Sequence, residues 1–470
     1  MTPDRYLAKL RRLGQLSSRE RLEGLFDPGT CRPLDPAPWD WDAAVHTAEG
    51  AVAGAPAFAY ASNFFAREGT ISEPEVASIT ALLARAAAAR APVVALLHSN
   101  GARVEDRYAA LGANAELFKA VTRLSGVVPQ VAACMGLSLG VAAYLAALAD
   151  FVWMIPGQSF AATTSPNVVR VATGQATSLE GLGGAAMHAG GSGFAHFTAP
   201  DERACLAGIR DLLGYVAGSR PAADPPEADP ALPASPYVPY DIRRLILTVF
   251  DDFLEVHALW AQNLVVGLAR LAGRPVGVVA NQSAVRGGAI DATAARKASR
   301  FIQTADSHGL PLIYLVDVPG IMVSAQEEQA GILDAGGVLF HSVDTAVPRV
   351  AVVVRKCFGG AFVMLQARQA GGDRVFAYPG SEIGIAGPEA TFAILHGKEY
   401  QVHEEAERFK AATLGMIREV PAGARQALEA GIVDAIIDPA ETREALIAAL
   451  AEIGTPARPS LPRIHPDYQF

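Results

Sequence analysis

The sequence predicts an α/β chain made of two tandem copies of one fold, and three observations carry that expectation. The first is a repeat at a fixed offset. Pro92-Val93-Val94 corresponds to Pro311-Leu312-Ile313, Gly101 to Gly320, Pro129 to Pro348, and Gly140 to Gly359. The differences 311−92, 320−101, 348−129 and 359−140 all equal 219, a register held without gaps over roughly 50 residues. The second is a recurring order: an Ala-rich helical stretch, a proline, a short apolar run and a glycine-marked turn. The third is composition. The 470 residues are 51% hydrophobic, rich in Ala and Val, and only 7% aromatic, which suits tightly packed α/β layers and gives each half enough chain for its own core.

Taken in chain order, residues 5–25 read as a charged amphipathic helix or helix pair, with Ser17-Ser18 as a cap. Residues 44–64 alternate as strands do. Glu73 to Arg90 is helical, with Pro74 suited to a first turn. Val93 to Leu97 is a continuous apolar run after Pro92, the signature of a buried strand. The same order recurs from Ala294 to Gly320. Between the copies, residues 220–240 contain seven prolines and read as a linker. The expected division is therefore 1–220, a linker over 221–240, and 241–470. Glu404 to Glu419 and Glu441 to Ile453 read as closing helices.

Composition also excludes several classes. A net charge of −9 argues against a dedicated nucleic-acid binder, and any anionic substrate needs local positive features. The first residues show no basic segment followed by an apolar core, and no apolar run has the length of a spanning helix. Cys31, Cys134, Cys205 and Cys357 are scattered without a CxxC pair, so a zinc ribbon or disulfide framework is not expected and a reducing cytoplasm is. There is no G-x-S-x-G elbow, P-loop or HExxH. Glu382 and Glu389 lie near glycines but suit capping or solvated roles equally well. His188 and His196 flank a glycine-rich loop without a carboxylate or thiol nearby, so no metal site is expected there.

The chemistry lies in the glycines. Gly136-Leu137-Ser138-Leu139-Gly140 precedes the helical run from Val141, and Cys357-Phe358-Gly359-Gly360-Ala361 precedes the run from Phe362. Each reads as strand, turn and helix start. Amide groups at a helix start lack intrahelical partners, and the helix dipole favours negative charge there. Two convergent amides form an oxyanion hole for an enolate or a urea oxygen. The plainer role, tight turns and helix packing, is open to the same glycines.

With these residues in view, the chain resembles the carboxyltransferase (beta) subunits of biotin-dependent acyl-CoA carboxylases, of the propionyl-CoA carboxylase beta type in the crotonase superfamily. The resemblance spans about residues 17 to 455. It is carried by Ser18-Arg19-Glu20-Arg21-Leu22, Gly101-Ala102-Arg103, Leu182-Gly183-Gly184-Ala185 with His188, and Ser192-Gly193 with Ala195-His196. Tyr240-Asp241-Ile242-Arg243, Gly277-Val278-Val279-Ala280-Asn281-Gln282, Lys297-Ala298-Ser299-Arg300-Phe301, Val316-Asp317-Val318-Pro319-Gly320, Gly359-Gly360-Ala361 and Pro439 with Thr442-Arg443 continue it.

The resemblance implies two crotonase-like ββα-spiral domains, the first holding acyl-CoA and the second receiving carboxybiotin from a separate biotin carrier and biotin carboxylase. It implies a hexamer in which the site forms between subunits, and no metal in this chain. Gly360 and Ala361 become the catalytic donors of the second domain, and Val141 and Ala142, 219 residues earlier, those of the first. Gly101, Ala102, Arg103, Gly136, Gly140, Gly183, Gly184, Ala386 and Gly387 fall on the substrate side, and Val318, Pro319, Gly320 and Gly359 on the biotin side. The biotin nitrogen takes the α-proton, which accounts for the lack of a side-chain base.

The chain departs from this pattern at several places. The second glycine of the first turn is Val141. Two lysines of the first domain, matching Lys297 and Arg300 of the second, are Ser78 and Ala81, and a further lysine is Ala186. A basic stretch is replaced by Leu333-Asp334-Ala335-Gly336-Gly337-Val338, and the lysine-rich tail by His465-Pro466-Asp467-Tyr468-Gln469-Phe470. Val363 stands where such proteins tune acyl size. Two other readings stay open: a biotin-independent decarboxylase or carboxyltransferase on another acyl thioester, and a non-catalytic assembly subunit.

Overall fold

A computed structural model describes residues 2–216, 220–226, 229, 232–233, 235–365, 367–419 and 423–454, without the side chains of 418 and 419. Residues 465–470, read as a replaced tail, lie outside the described residues. By internal contacts the chain divides into two units, the first comprising residues up to 216 with 257–260, the second 220–256 with 261–454.

Each unit is built on one eight-stranded sheet. In the first the order is 32–33, 45–52, 55–62, 93–99, 130–139, 151–154 and 197–198, with 160–162 also pairing 130–139. In the second it is 435–436, 374–377, 349–358, 312–318, 274–281, 264–271 and 252–256, with 382–384 also pairing 349–358. Both sheets are mixed, with an antiparallel hairpin leading into parallel strands. The α/β, crotonase-like architecture expected from the sequence is thus present in both units.

The repeat persists residue by residue. Strand Val93–Ser99 maps onto Leu312–Val318 and Gln130–Leu139 onto Arg349–Phe358, each shifted by 219. Both central strands are buried along their whole length, as parallel strands covered on two faces must be. The prolines before them stop the preceding helix yet still accept from the neighbouring strand. Phe58 N–H donates to Pro92 O at 2.9 Å, and Gly277 N–H to Pro311 O at 2.8 Å. The hairpin turns Ala53-Gly54 and Ala272-Gly273 have positive φ at both residues, the geometry that matches strand twist.

One irregularity shapes everything downstream. Leu97 pairs with Cys134, but Ser99 pairs with Ser138, and Val316 and Val318 repeat this shift against Val353 and Cys357. The long strand bends there and changes partners, from 151–154 to 160–162 in the first unit and from 374–377 to 382–384 in the second. Gly136 sits at the bend because a methyl group on it would lie 2.6 Å from the buried His98 ring.

The amino-terminal segment forms two helices, Pro3–Arg12 and Ser18–Leu25, the second capped by Ser17 with Glu20 returning the bond. Residues 404–419 and 441–453 are helical over Ala406–Glu419 and Thr442–Ile453. Described parts of the proline-rich segment are pinned to the second unit. Arg220 N–H donates to Gly273 O at 2.9 Å, and Arg355 Nη1 donates to Val238 O at 2.6 Å.

Below the first sheet, Arg21 and Glu202 are 2% and 0% exposed and meet in a two-pronged ion pair at 2.7 Å. Gln158 Nε2 and the Leu16 amide also donate to Glu202. This joins helix 18–25 to helix 202–216. Glu202→Ala strands a buried guanidinium and should cost about 3–5 kcal/mol in urea denaturation, whereas the pair Arg21→Met with Glu202→Leu should cost far less. Equal losses in both variants would refute the assignment.

Candidate active site

The strand bend delivers each chain segment to a glycine with positive φ. Gly140 has φ 54 and ψ −114, and Gly359 has φ 65 and ψ −145. These conformations suit glycine alone among ordinary residues. The Gly140 amide donates to Ala162 O and the Gly359 amide to Gly384 O, both at 3.0 Å, so the partner strand fixes each turn. A short helix follows immediately, Val141–Ala147 or Gly360–Met364. The amides of Val141 and Ala142, and those of Gly360 and Ala361, are therefore first-turn amides without intrahelical acceptors.

Each unit carries a cavity at its turn. The first, about 690 Å³, is bounded by Ala102, Arg103, Arg107, Leu111, Phe118 and Val141, among others. The second, about 580 Å³, is bounded by Gly359, Gly360, Val363, Gly384, Ile385 and Gln426, among others. At the first turn the Val141 side chain occupies the wall. At the second, a methyl group on Gly360 would meet only Ile321 Cδ1, at 3.4 Å, so that wall is backbone.

The turn after the neighbouring strand supports each site. A methyl group on Gly101 would lie 2.8 Å from Leu139 O, which places Gly101-Ala102 directly against the Gly140 turn. Ile71 N–H donates to Gly101 O at 2.8 Å and Ile290 N–H to Gly320 O at 3.1 Å. Val318 is buried, and Gly320 has φ 137 with open space around it. Below Pro319-Gly320, Arg355 Nη2 pairs with Asp317 at 2.8 Å and the guanidinium lies 4.3 Å from the Tyr240 ring. Burial pushes the Asp317 carboxyl above its ordinary range, with Arg355 opposing.

Other residues singled out from the sequence hold the scaffold. Gly183 packs so closely on Ala161 O that no side chain fits, and Gly184 bridges to Phe160. His188 Nε2 donates to Ala161 O at 2.7 Å, so this loop braces the strand that receives the Gly140 amide. His196 Nδ1 accepts from the Val152 amide at 3.1 Å. Gly387 caps helix 388–402, with Ala386 O accepting from the Thr391 hydroxyl at 3.3 Å. Arg103 is 5% exposed and lines the cavity, yet its guanidinium is bound to Glu75 at 2.7 Å and to Thr70 O at 2.9 Å. Asp334, in the stretch that replaces a basic one, pairs with Arg296 at 2.9 Å. Ser78 and Ala81 lie on helix 73–89.

Lys297 is buried at 0% exposure, and its ammonium donates to Leu264 O at 2.6 Å. It belongs to the core of the second unit. Arg107 and Gln426 are cavity residues that the sequence reading missed, since neither lies in a glycine motif.

Comparison with known proteins gives a consistent result. The carboxyl transferase domain matches residues 10–466. The chain is 34% identical over 468 residues to the propionyl-CoA carboxylase carboxyltransferase subunit of Haloferax mediterranei, covering 93% of this chain and 90% of that one. It is 33% identical over 482 residues to the methylmalonyl-CoA decarboxylase subunit alpha of Veillonella parvula, covering 96% and 92%. Among solved structures, the transcarboxylase 12S hexamer with methylmalonyl-coenzyme A and methylmalonic acid bound superposes with a TM-score of 0.90 at 30% identity, covering 98% and 94%.

Burial lowers the Lys297 ammonium from 10.5 to about 7. Between these values the unfolded chain holds a proton that the folded chain has released, so stability should rise with pH from about 7 to about 10.5, by up to about 1.4 kcal/mol per unit. Lys297→Met should remove that rise. Parallel wild-type and variant profiles in urea denaturation at pH 7 to 10 would refute it.

Proposed function

The chain belongs to the carboxyl transferase family, as a carboxyltransferase subunit of the propionyl-CoA carboxylase type, and from that premise we propose how its two turns divide the reaction. The first domain of the sequence division, residues 1–220, holds an acyl-CoA. The second domain, 241–470, receives biotin from a separate carrier protein charged by a biotin carboxylase, with 221–240 as the connecting segment in the sequence. The observation that carries this reading is the pair of first-turn amides at 141–142 and 360–361, each at its own cavity.

The amides of Val141 and Ala142 donate to the thioester oxygen as it becomes an enolate. Their dipoles are fixed before reaction by Gly140 and its bond to Ala162, so no reorganisation accompanies the charge. The amides of Gly360 and Ala361 hold the urea oxygen of biotin. A planar, neutral urea fits neutral backbone donors above an apolar cavity whose wall at Gly360 has no side chain. Biotin, when bound, supplies the activated carboxyl group. Among the described lining residues of the first cavity no carboxylate or imidazole offers a base, consistent with proton removal by the biotin nitrogen. Gly101, Ala102 and Gly136 shape the substrate side, Gly183 and Gly184 through the strand they brace, and Ala386 and Gly387 from the second domain in a site formed between subunits, while Val318, Pro319, Gly320 and Gly359 shape the biotin side. The hexamer of transcarboxylase 12S supports a homo-hexamer here.

A second reading, decarboxylation of a malonyl-type thioester, is favoured by the 33% identity to the Veillonella decarboxylase subunit. The purified chain assayed against a panel of acyl thioesters, with and without the biotin proteins, separates the two. Transfer that needs carrier and carboxylase supports the first reading. Turnover of a malonyl-type thioester without any biotin protein supports the second.

Gly360→Val keeps the amide donor but puts a branched side chain at the wall of the second cavity, so carboxyl transfer should fall sharply while the thermal midpoint changes little, because the Cβ position meets only Ile321 Cδ1, at 3.4 Å. An unchanged rate would remove Gly360 from the site. Val141→Gly widens the first cavity and should alter the range of acyl groups accepted. The same substrate profile in both proteins would show that Val141 has no part in selection.

A further inference from the structure

Arg107 opens the helix Arg107–Leu124 with φ 49 and ψ −118. Gly140, in the same unit, has φ 54 and ψ −114. One backbone conformation is thus filled by glycine just before Val141 and by a long cationic side chain, Arg107, that bounds the same cavity as Val141. A non-glycine residue held in that conformation points to a function that outweighs the strain.

The surroundings leave this cation available. Arg103 and Arg107 are the two charged residues bounding the cavity, and Arg103 is already committed to Glu75 and Thr70. Arg107 is exposed, and its guanidinium makes no hydrogen bond or ion pair among the described residues. The first turn of its helix contains no acidic residue, so the helix dipole adds to its field. The preceding Asp106 is held by Arg103 at 3.4 Å. Between Arg107 and the turn the wall is largely apolar, including Leu111, Phe118 and Val141.

We propose that Arg107 determines specificity by binding a carboxylate at the far end of the acyl group, so that the substrate is a monothioester of a dicarboxylic acid. The proposal rests on the assignment of the thioester oxygen to Val141 and Ala142. A sphere of 690 Å³ is about 11 Å across, and the pantetheine arm of coenzyme A is longer than that. A short acyl chain can therefore place a terminal carboxylate at Arg107 within the same cavity as the turn, and comparison of coenzyme A with pantetheine thioesters separates that carboxylate from the coenzyme phosphates. The apolar wall suits the methylene chain between thioester and carboxylate. The guanidinium suits the carboxylate through two parallel hydrogen bonds.

Titration calorimetry on the full chain tests this with adipyl and hexanoyl thioesters, each attached to coenzyme A and to pantetheine. The wild-type chain should bind the adipyl thioester about tenfold more tightly than the hexanoyl one on either carrier. Arg107→Gly, which suits the backbone, should keep the thermal midpoint and bring that ratio to about one, with Arg107→Lys between. A wild-type ratio near one, a ratio that survives Arg107→Gly, or an effect confined to the coenzyme A thioesters would overturn the inference. Wild-type binding of hexanoyl and adipyl thioesters without preference overturns the role of Arg107 alone. Binding of neither overturns the acyl assignment of the first unit and this inference with it.

Discussion

Everything in each unit leads to a glycine at the end of a strand that has just changed partners. The bend after Cys134, or after Val353, moves the strand from one neighbour to another. The last amide of the turn is then tied to that new neighbour, at Ala162 or Gly384. A residue with a Cβ at Gly140 or Gly359 would oppose the positive φ, and the helix that follows would start elsewhere. The direction of the first-turn amides, and hence any chemistry they perform, depends on this single conformational requirement. The histidine loop serves the same end at one remove, because His188 holds the strand that holds Gly140.

The duplication conserves backbone and varies side chains. Positive φ recurs at Arg67 and Arg286, Gly101 and Gly320, and Gly140 and Gly359. The isolated bridges Ile71 to Ala102 and Ile290 to Ile321 recur as well. Yet the position after the turn glycine is Val141 in one unit and Gly360 in the other, so the same amides sit in differently shaped walls. Two copies of one backbone frame thereby present differently lined cavities, one walled by a side chain and one by backbone.

The register was legible in the sequence because prolines and glycines mark fixed backbone states, and those states recur every 219 residues. Past the turn the spacing changes. Strand Phe151–Met154 matches Arg374–Ala377 at 374−151 = 223, and Pro166 matches Pro388 at 222, so inserted residues take these pairs out of the ungapped register. Tertiary partners were not legible. Arg103 is neutralised by Glu75, 28 positions away on another helix, and nothing local announces it. Lys297 resembles a surface lysine on a helix until the Leu264 carbonyl closes over it. Arg107 escaped notice for the opposite reason: its conformation is glycine-like while its identity is not.

The overall charge sharpens the role of these local features. A chain with net charge −9 repels an anionic acyl-CoA at long range, but screening confines that repulsion to about 8–10 Å at physiological salt. Inside an apolar cavity the balance reverses. Fixed amide dipoles at the turn act at contact distance, and an uncommitted guanidinium bounding the same cavity adds a full charge of the right sign. On the proposed division of the reaction, recognition of an anion by this acidic chain is a short-range property of the first cavity. The second cavity, bounded by Gln426 and by apolar and glycine residues, offers no comparable charge and is suited to a neutral group. The two otherwise equivalent turns differ in the charge of the side chains that line their cavities, and the proposed separation of an anionic acyl substrate from a neutral cofactor ring rests on that difference.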